Sequence, residues 1–168
     1  MRLAPIPMYY FPDREKIIHF AGESSRTTHG AQECIEACQL FAEMIQLALS
    51  GQCKDQILFG TKAQTSNPKI NDIARGSYVQ KTITQIRGTG YVVDSLEAAL
   101  WCFYQSTTFE EAILQAANLG DDADTTAAIC GQVAGAFYGE SQIPVKWLER
   151  LTMREEIAQF ADQLSIKT

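Results

Sequence analysis

The stretch NLGDDADTTAAICGQVAGAFYG, residues 118–139, sets three carboxylates (Asp121, Asp122, Asp124) and two hydroxyls (Thr125, Thr126) ahead of an apolar run. Ala127, Gly131, Gly135 and Gly139 then recur every fourth residue. That interval places them on one stripe of a helix, where each interior glycine costs about 1 kcal/mol relative to alanine. Such a cost predicts that another backbone packs closely against the stripe, so the segment reads as a buried helix with an acidic first turn. Like charges crowded in this way are solvated, stabilised by a helix N-terminus, or bound to a cation. Carboxylate and hydroxyl oxygens are hard ligands suited to Mg²⁺, Mn²⁺ or Ca²⁺, and no neighbouring Cys or His favours zinc. The competing reading is an N-cap with a solvated acidic loop.

Outward from this helix the pattern remains helical. From about 31 to 50, Cys34, Ile35, Cys38, Phe41, Ala42, Ile45 and Leu49 recur at three- and four-residue steps, which predicts one buried face, and Gly51 supplies a stop. Asp94 with Glu97 predicts a helix start before LEAALWCFY, and Thr107 with Glu110 another before FEEAILQAANL. Gly120 closes the latter. Two amphipathic pieces, VKWLERL and REEIAQFADQL, follow Pro144. No run argues for a sheet, and TITQI can equally continue a helix from NDIARGSYVQK. The stretch from 60 to 71 reads as a connection inside one all-α domain spanning 1–168.

Composition narrows the function classes. The 168 residues are 46% hydrophobic with a net charge of −6, enough apolar material for a core. Between Arg87 and Lys146 there is no Lys or Arg, yet this segment holds Asp94, Glu97, Glu110, Glu111, Asp121, Asp122, Asp124 and Glu140. The negative excess therefore belongs to one segment. A nucleic-acid surface, which rests on clustered Lys and Arg, is not expected there. No apolar stretch approaches the ~20 residues that span a bilayer. Pro5 and Pro7 interrupt the apolar N-terminus, which does not read as a secretory signal, so a cytoplasmic location is expected. The five cysteines are odd in number and lack paired zinc-type spacing, and they read as buried, reduced thiols.

The run GDDADTTAAICGQVAGAFYG resembles the C-terminal metal motif of the ADP-ribosylglycohydrolase family, which includes the dinitrogenase reductase-activating glycohydrolases. MRLAPIPMYY, the Thr28-His29 pair before an Ala-rich helix, and RGTGYVVDSLEAALWCF agree in the same order. The resemblance implies an all-α orthogonal helical bundle holding a pair of Mg²⁺ or Mn²⁺ ions that help cleave the bond between ADP-ribose and an acceptor. It assigns Asp122, Asp124 and Thr125 as metal ligands, with Asp122 and Asp124 catalytic through the metal. It also places His29 near the substrate, and Gly88, Gly90 and Tyr91 on a loop against the ribose. From the residues alone, the favoured readings are a helix-start residue for His29 and an ordinary aromatic at a helix entry for Tyr91.

In that family the MRLAPIP-like segment occurs mid-chain, after an N-terminal portion with an early acidic residue, a Thr-Asp-Asp metal motif and a Gly-rich segment. The expectation is therefore a resemblance to the C-terminal half alone, without the N-terminal helices and with too few ligands for two ions. The implied substrate is an ADP-ribosylated protein or an ADP-ribose-containing small molecule, and the implied partner is a missing N-terminal half or a second copy. The alternative is a non-catalytic module derived from the family that binds ADP-ribose or a cation, or serves structurally.

Overall fold

Helix α3 (Gln32–Leu49) is the element around which the others gather: α1 (Pro5–Tyr10), α2 (Arg14–Arg26), α4 (Lys54–Phe59), α5 (Pro68–Ala74), α6 (Val92–Gln105) and α8 (Ala123–Tyr138) all pack on it. In this computed structural model, which describes residues 1–63 and 65–165, α3 buries Ile35, Ala37, Leu40, Phe41, Ala42, Met44, Ile45 and Ala48, together with Glu36 and Glu43. The single buried face expected of it is thus too narrow, because neighbours approach from several sides. Helices α6, α7 (Phe109–Asn118) and α8 form a second group that packs on α3 through α6 and α8. Helices α9 (Val145–Leu148) and α10 (Arg154–Ser165) follow, α10 lying against α1. The described residues are helices, two short 3₁₀ turns (Ile83–Gln85, Glu140–Gln142) and connections, with no strand.

Several local expectations are corrected by a shift of register. Helix α6 begins at Val92, not Asp94; Asp94 lies in its first turn and accepts the Thr89 hydroxyl at 2.9 Å. The start of α7 lies one residue later than expected: Thr108 takes the Glu111 N–H at 3.1 Å, and Glu111 takes the Thr107 N–H and hydroxyl at 2.8 and 2.7 Å. TITQI does not continue a helix from NDIARGSYVQK. Helix α5 ends at Ala74, and Gly76 follows at φ 76°, a left-handed conformation that glycine adopts without penalty. Within the expected 60–71 connection, Asn67 caps α5, accepting the N–H groups of Lys69 and Ile70, and Gln64 lies outside the described residues.

The glycine stripe of α8 is also not what was expected. A methyl group at Gly131 would stand 3.5 Å from Ile113 Cδ1, and one at Gly135 4.0 Å from Phe109 Cε2. Both are ordinary contacts with α7 side chains, so among the described residues no backbone of another element comes within 4 Å of a methyl group at either glycine, and Gly139 (φ 80°) serves to end the helix. The cysteines are all free; Cys102 and Cys130 are buried, while Cys34 and Cys38 are half-buried and Cys53 is exposed. Burial pushes the Cys102 thiol up to about 12 and raises that of Cys130 as well. No helix among the described residues is long and apolar enough to cross a membrane.

Candidate functional site

The turn into α8 is built from two consecutive left-handed residues, Gly120 (φ 80°) and Asp121 (φ 51°), which reverse the chain after α7. Asp122 follows at the N-cap position, and its N–H donates to Gly88 O at 2.8 Å. Its carbonyl accepts the N–H and the hydroxyl of the fully buried Thr126, both at 3.1 Å. Its carboxylate makes no capping hydrogen bond, so Asp122 holds the N-cap position without capping through its side chain. The backbone alone fixes Asp122, and its side-chain oxygens are left for another use.

Two glycines allow the 88–91 loop to lie on this turn. A methyl group at Gly88 would come within 2.9 Å of Thr126 Oγ1 and 3.5 Å of Gly120 O, and one at Gly90 within 3.3 Å of Asp122 Oδ2. The first separation is one that real Cβ atoms essentially never show. Tyr91, at the N-cap position of α6, reaches from the loop to α3 and α5: its hydroxyl donates to Glu33 Oε2 at 2.5 Å and accepts from Lys69 Nζ at 2.7 Å. Lys69 Nζ also sits 4.9 Å from the Tyr91 ring centroid, a cation–π contact, and 3.7 Å from Glu33 Oε1.

Charge distribution sharpens the picture. Of the acids in the segment without Lys or Arg, Glu97, Glu110 and Glu140 are paired with Lys81, Lys146 and Arg154 from outside it. Asp94 and Glu111 are satisfied by threonine groups. Among the described residues, the acids of this segment whose carboxylates have no such partner are Asp121, Asp122 and Asp124, all on the α8 turn. The donor set of Asp122, Asp124 and Thr125 is carboxylate and hydroxyl oxygen, which fits a hard divalent cation. No group of three or more His, Cys, Asp or Glu side chains converges as a metal cage among the described residues.

Residues 1–168 match the sequence model of the family described as ADP-ribosylglycohydrolase. The chain belongs to that family.

Among known members, it is 46% identical over 140 residues to the ADP-ribosylarginine hydrolase Tri1 of Pseudomonas putida (strain GB-1), covering 83% of this chain and 38% of that protein. It is 37% identical over 164 residues to the protein of the same name from Serratia proteamaculans (strain 568), covering 98% of this chain and 44% of that one. A solved structure titled "ADP-ribosylglycohydrolase-related protein complex" superposes with a TM-score of 0.87 at 37% identity, covering 98% of this chain and 57% of that one. The chain therefore spans less than half the length of these two curated relatives. The expected all-helical ADP-ribosylglycohydrolase fold is found.

The sequence-named residues of this family member fall into two places. Gly88, Gly90, Tyr91, Asp122, Asp124 and Thr125 lie on two adjoining segments, the 88–91 loop and the α8 turn. His29 is exposed on the connection between α2 and α3, with Nδ1 3.0 Å from Thr28 Oγ1 and its N–H on Ser25 O at 2.7 Å. It stands four residues before Glu33, and no hydrogen bond joins it to Asp122 or to the loop among the described residues.

Glu33, Asn67, Lys69, Thr89 and Asp94 were not singled out as site residues from sequence, because each reads as an ordinary polar helix or loop residue until the fold joins their segments. The Tyr91 hydroxyl, acting against partial burial and aided by Asn67 and Lys69, holds the Glu33 carboxyl below the usual carboxylate range. Tyr91→Phe is expected to move the Glu33 titration midpoint upward, read from its side-chain carboxyl resonance by NMR. An unchanged midpoint would show that the phenol does not engage Glu33 in solution.

Proposed function

We propose that this chain takes part in the metal-assisted cleavage of the glycosidic bond between ADP-ribose and an acceptor, releasing ADP-ribose from a modified protein or small molecule. The observation that carries the reading is the 88–91 loop laid against Asp122, whose carboxylate has no partner among the described residues, while Glu97, Glu110 and Glu140 of the same segment are paired. The names of its relatives as ADP-ribosylarginine hydrolases support an ADP-ribosylated substrate.

In this reading Asp122, Asp124 and Thr125 would hold a Mg²⁺ or Mn²⁺ ion, which when bound offsets negative charge and polarises oxygen. Gly88 and Gly90 leave two positions of the loop without side chains, against which a ribose can approach the carboxylates. Tyr91 fixes the far end of that loop through Glu33 and Lys69. His29 is read as a substrate neighbour at the end of α3 nearest Glu33. As the ribose–acceptor bond weakens, positive charge develops at the anomeric carbon, and Asp122 and Asp124 would offset the positive charge of the ion they hold so that it does not oppose this.

Two such ions want about six oxygen ligands each. Asp122, Asp124 and Thr125 offer fewer, so further donors are part of the reading. In this reading the match is to the family's C-terminal half, and an assay with a supplied N-terminal polypeptide tests that position.

The experiment measures ADP-ribose released from an ADP-ribosylarginine protein with Mg²⁺ or Mn²⁺, for this chain alone and together with a polypeptide covering the remaining length of a relative. Release is expected in the combined reaction, and Asp122→Ala is expected to lower it by at least the roughly hundredfold that loss of an outer-shell partner of a metal can cost. Binding of ADP-ribose with no release in either reaction would favour the non-catalytic module.

A further inference from the structure

A cleft lies between α2, α3 and the residues Lys62, Ala63 and Thr65 and shares no lining residue with the loop and turn described above, so nothing in it depends on the proposed function. Its volume is about 330 Å³, and its walls include Arg14, Ile18, Glu36, Gln39, Lys62 and Ala63. What distinguishes it is how its charges are held. Glu43, 2% exposed behind Arg14 and Lys62, takes the Arg14 Nε–H at 2.5 Å and the Lys62 backbone N–H at 3.1 Å on the same oxygen, Oε1. Its Oε2 is buried without a hydrogen-bond partner.

Arg14 is therefore not spent on the two-point clamp that arginine readily forms with a carboxylate. Its Nε is anchored, while among the described residues Nη1 and Nη2 have no acceptor. Lys62 is anchored through its backbone, and its ammonium has no ion pair among the described residues. Glu36, the carboxylate on the wall, is already saturated. Gln32 Nε2 and Ser66 Oγ donate to Oε1 at 2.9 and 2.6 Å, Asn67 N donates to Oε2 at 2.8 Å, and Thr65 Oγ1 is the fourth donor. The cleft thus presents a planar fork whose charge is balanced by Glu43 at Nε but whose two Nη groups are unused, and a point cation with no ion pair among the described residues, flanked by the apolar Ile18 and Ala63.

We propose that this cleft binds an oxyanion of the phosphate class, either a phosphoryl group on a small ligand or free phosphate. The two Nη groups of Arg14 match two of its oxygens, and Lys62 Nζ takes a third. A carboxylate would use the fork but leave Lys62 without an oxygen, which is why the tetrahedral anion is the better fit.

The test is ³¹P NMR titration of the full chain with inorganic phosphate and, in parallel, glycerol 3-phosphate, at an ionic strength held constant with sodium chloride. Saturable binding is expected. Lys62→Met keeps the backbone N–H on Glu43 and is expected to weaken binding about tenfold, the size of one charged hydrogen bond. Asp122→Ala is expected to leave it unchanged, which separates this cleft from the α8 turn. Tighter binding of the ester assigns a phosphoryl group on a carbon skeleton, and tighter binding of phosphate assigns the free anion. The proposal is overturned if the response does not saturate, or if Lys62→Met binds as tightly as the unaltered chain.

Discussion

Replacing Lys54 by methionine is expected to lower the unfolding free energy by about 3 kcal/mol and the melting temperature by about 6–12 °C. Lys54 is the first residue of α4, and its ammonium donates to Phe103 O at 2.6 Å and Ser106 O at 2.5 Å. Those carbonyls belong to the last turn of α6 and its C-cap, where a cation also meets the negative end of the helix dipole. The same ammonium lies 4.6, 5.8 and 5.3 Å from the ring centroids of Phe103, Phe137 and Tyr138. Methionine keeps the stem and removes every one of these attractions. Ser106 Oγ and Tyr138 OH still reach the two carbonyls, at 3.0 and 3.4 Å, which limits the loss. A change below about 1 kcal/mol in the denaturant midpoint analysis would mean that the cage is not formed in solution.

Glu36→Ala is expected to cost a similar amount, about 3 kcal/mol, because the four donors gathered on this 5% exposed carboxylate would lose their common acceptor. Burial acts to raise the Glu36 pKa, but the hydrogen bonds from Ser66, Thr65, Gln32 and Asn67 together outweigh it and hold the group at about 2, against an ordinary 4.5. A carboxyl depressed in the folded state binds protons more readily when unfolded. Its contribution is therefore fully present above about pH 4.5 and is lost as the pH falls toward 2. Urea midpoints measured across that window should decline in the unaltered chain and decline less in Glu36→Gln. Parallel curves would show that Glu36 is not the group responsible.

The helices were legible where apolar periodicity or a stop residue marked them, as in α3 with Gly51 and α7 with Gly120. Their starts were less so, because capping side chains occur in neighbouring pairs: Thr107 and Thr108, like Glu110 and Glu111, satisfy the same pattern, and only the backbone conformation selects one. The α8 stripe misled because small residues mark close approach without saying whether backbone or side chains fill the space. The acidic turn and the 88–91 loop were legible as motifs. Their joining was not, since it depends on Asp122 N–H meeting Gly88 O across an intervening stretch that holds α6 and α7. Glu36 and Glu43 gave no signal at all, as acids within an amphipathic helix read as its solvated side until Lys62, Thr65, Ser66 and Asn67 donate to them.

The lack of Lys and Arg from Gly88 to Val145 coincides with the loop and with α6, α7 and α8. A protease that cuts after basic residues has no site anywhere in this block, folded or unfolded. Trypsin acting at Arg87 and Lys146 releases the 88–91 loop, three helices and all three motif aspartates as one peptide. Glu33 and Lys69, which hold Tyr91 from outside, leave on other fragments. A reagent that couples Tyr91 to either would therefore be recorded as a single large mass joined to a small one, giving a direct chemical readout of whether α3, α5 and the loop meet in solution.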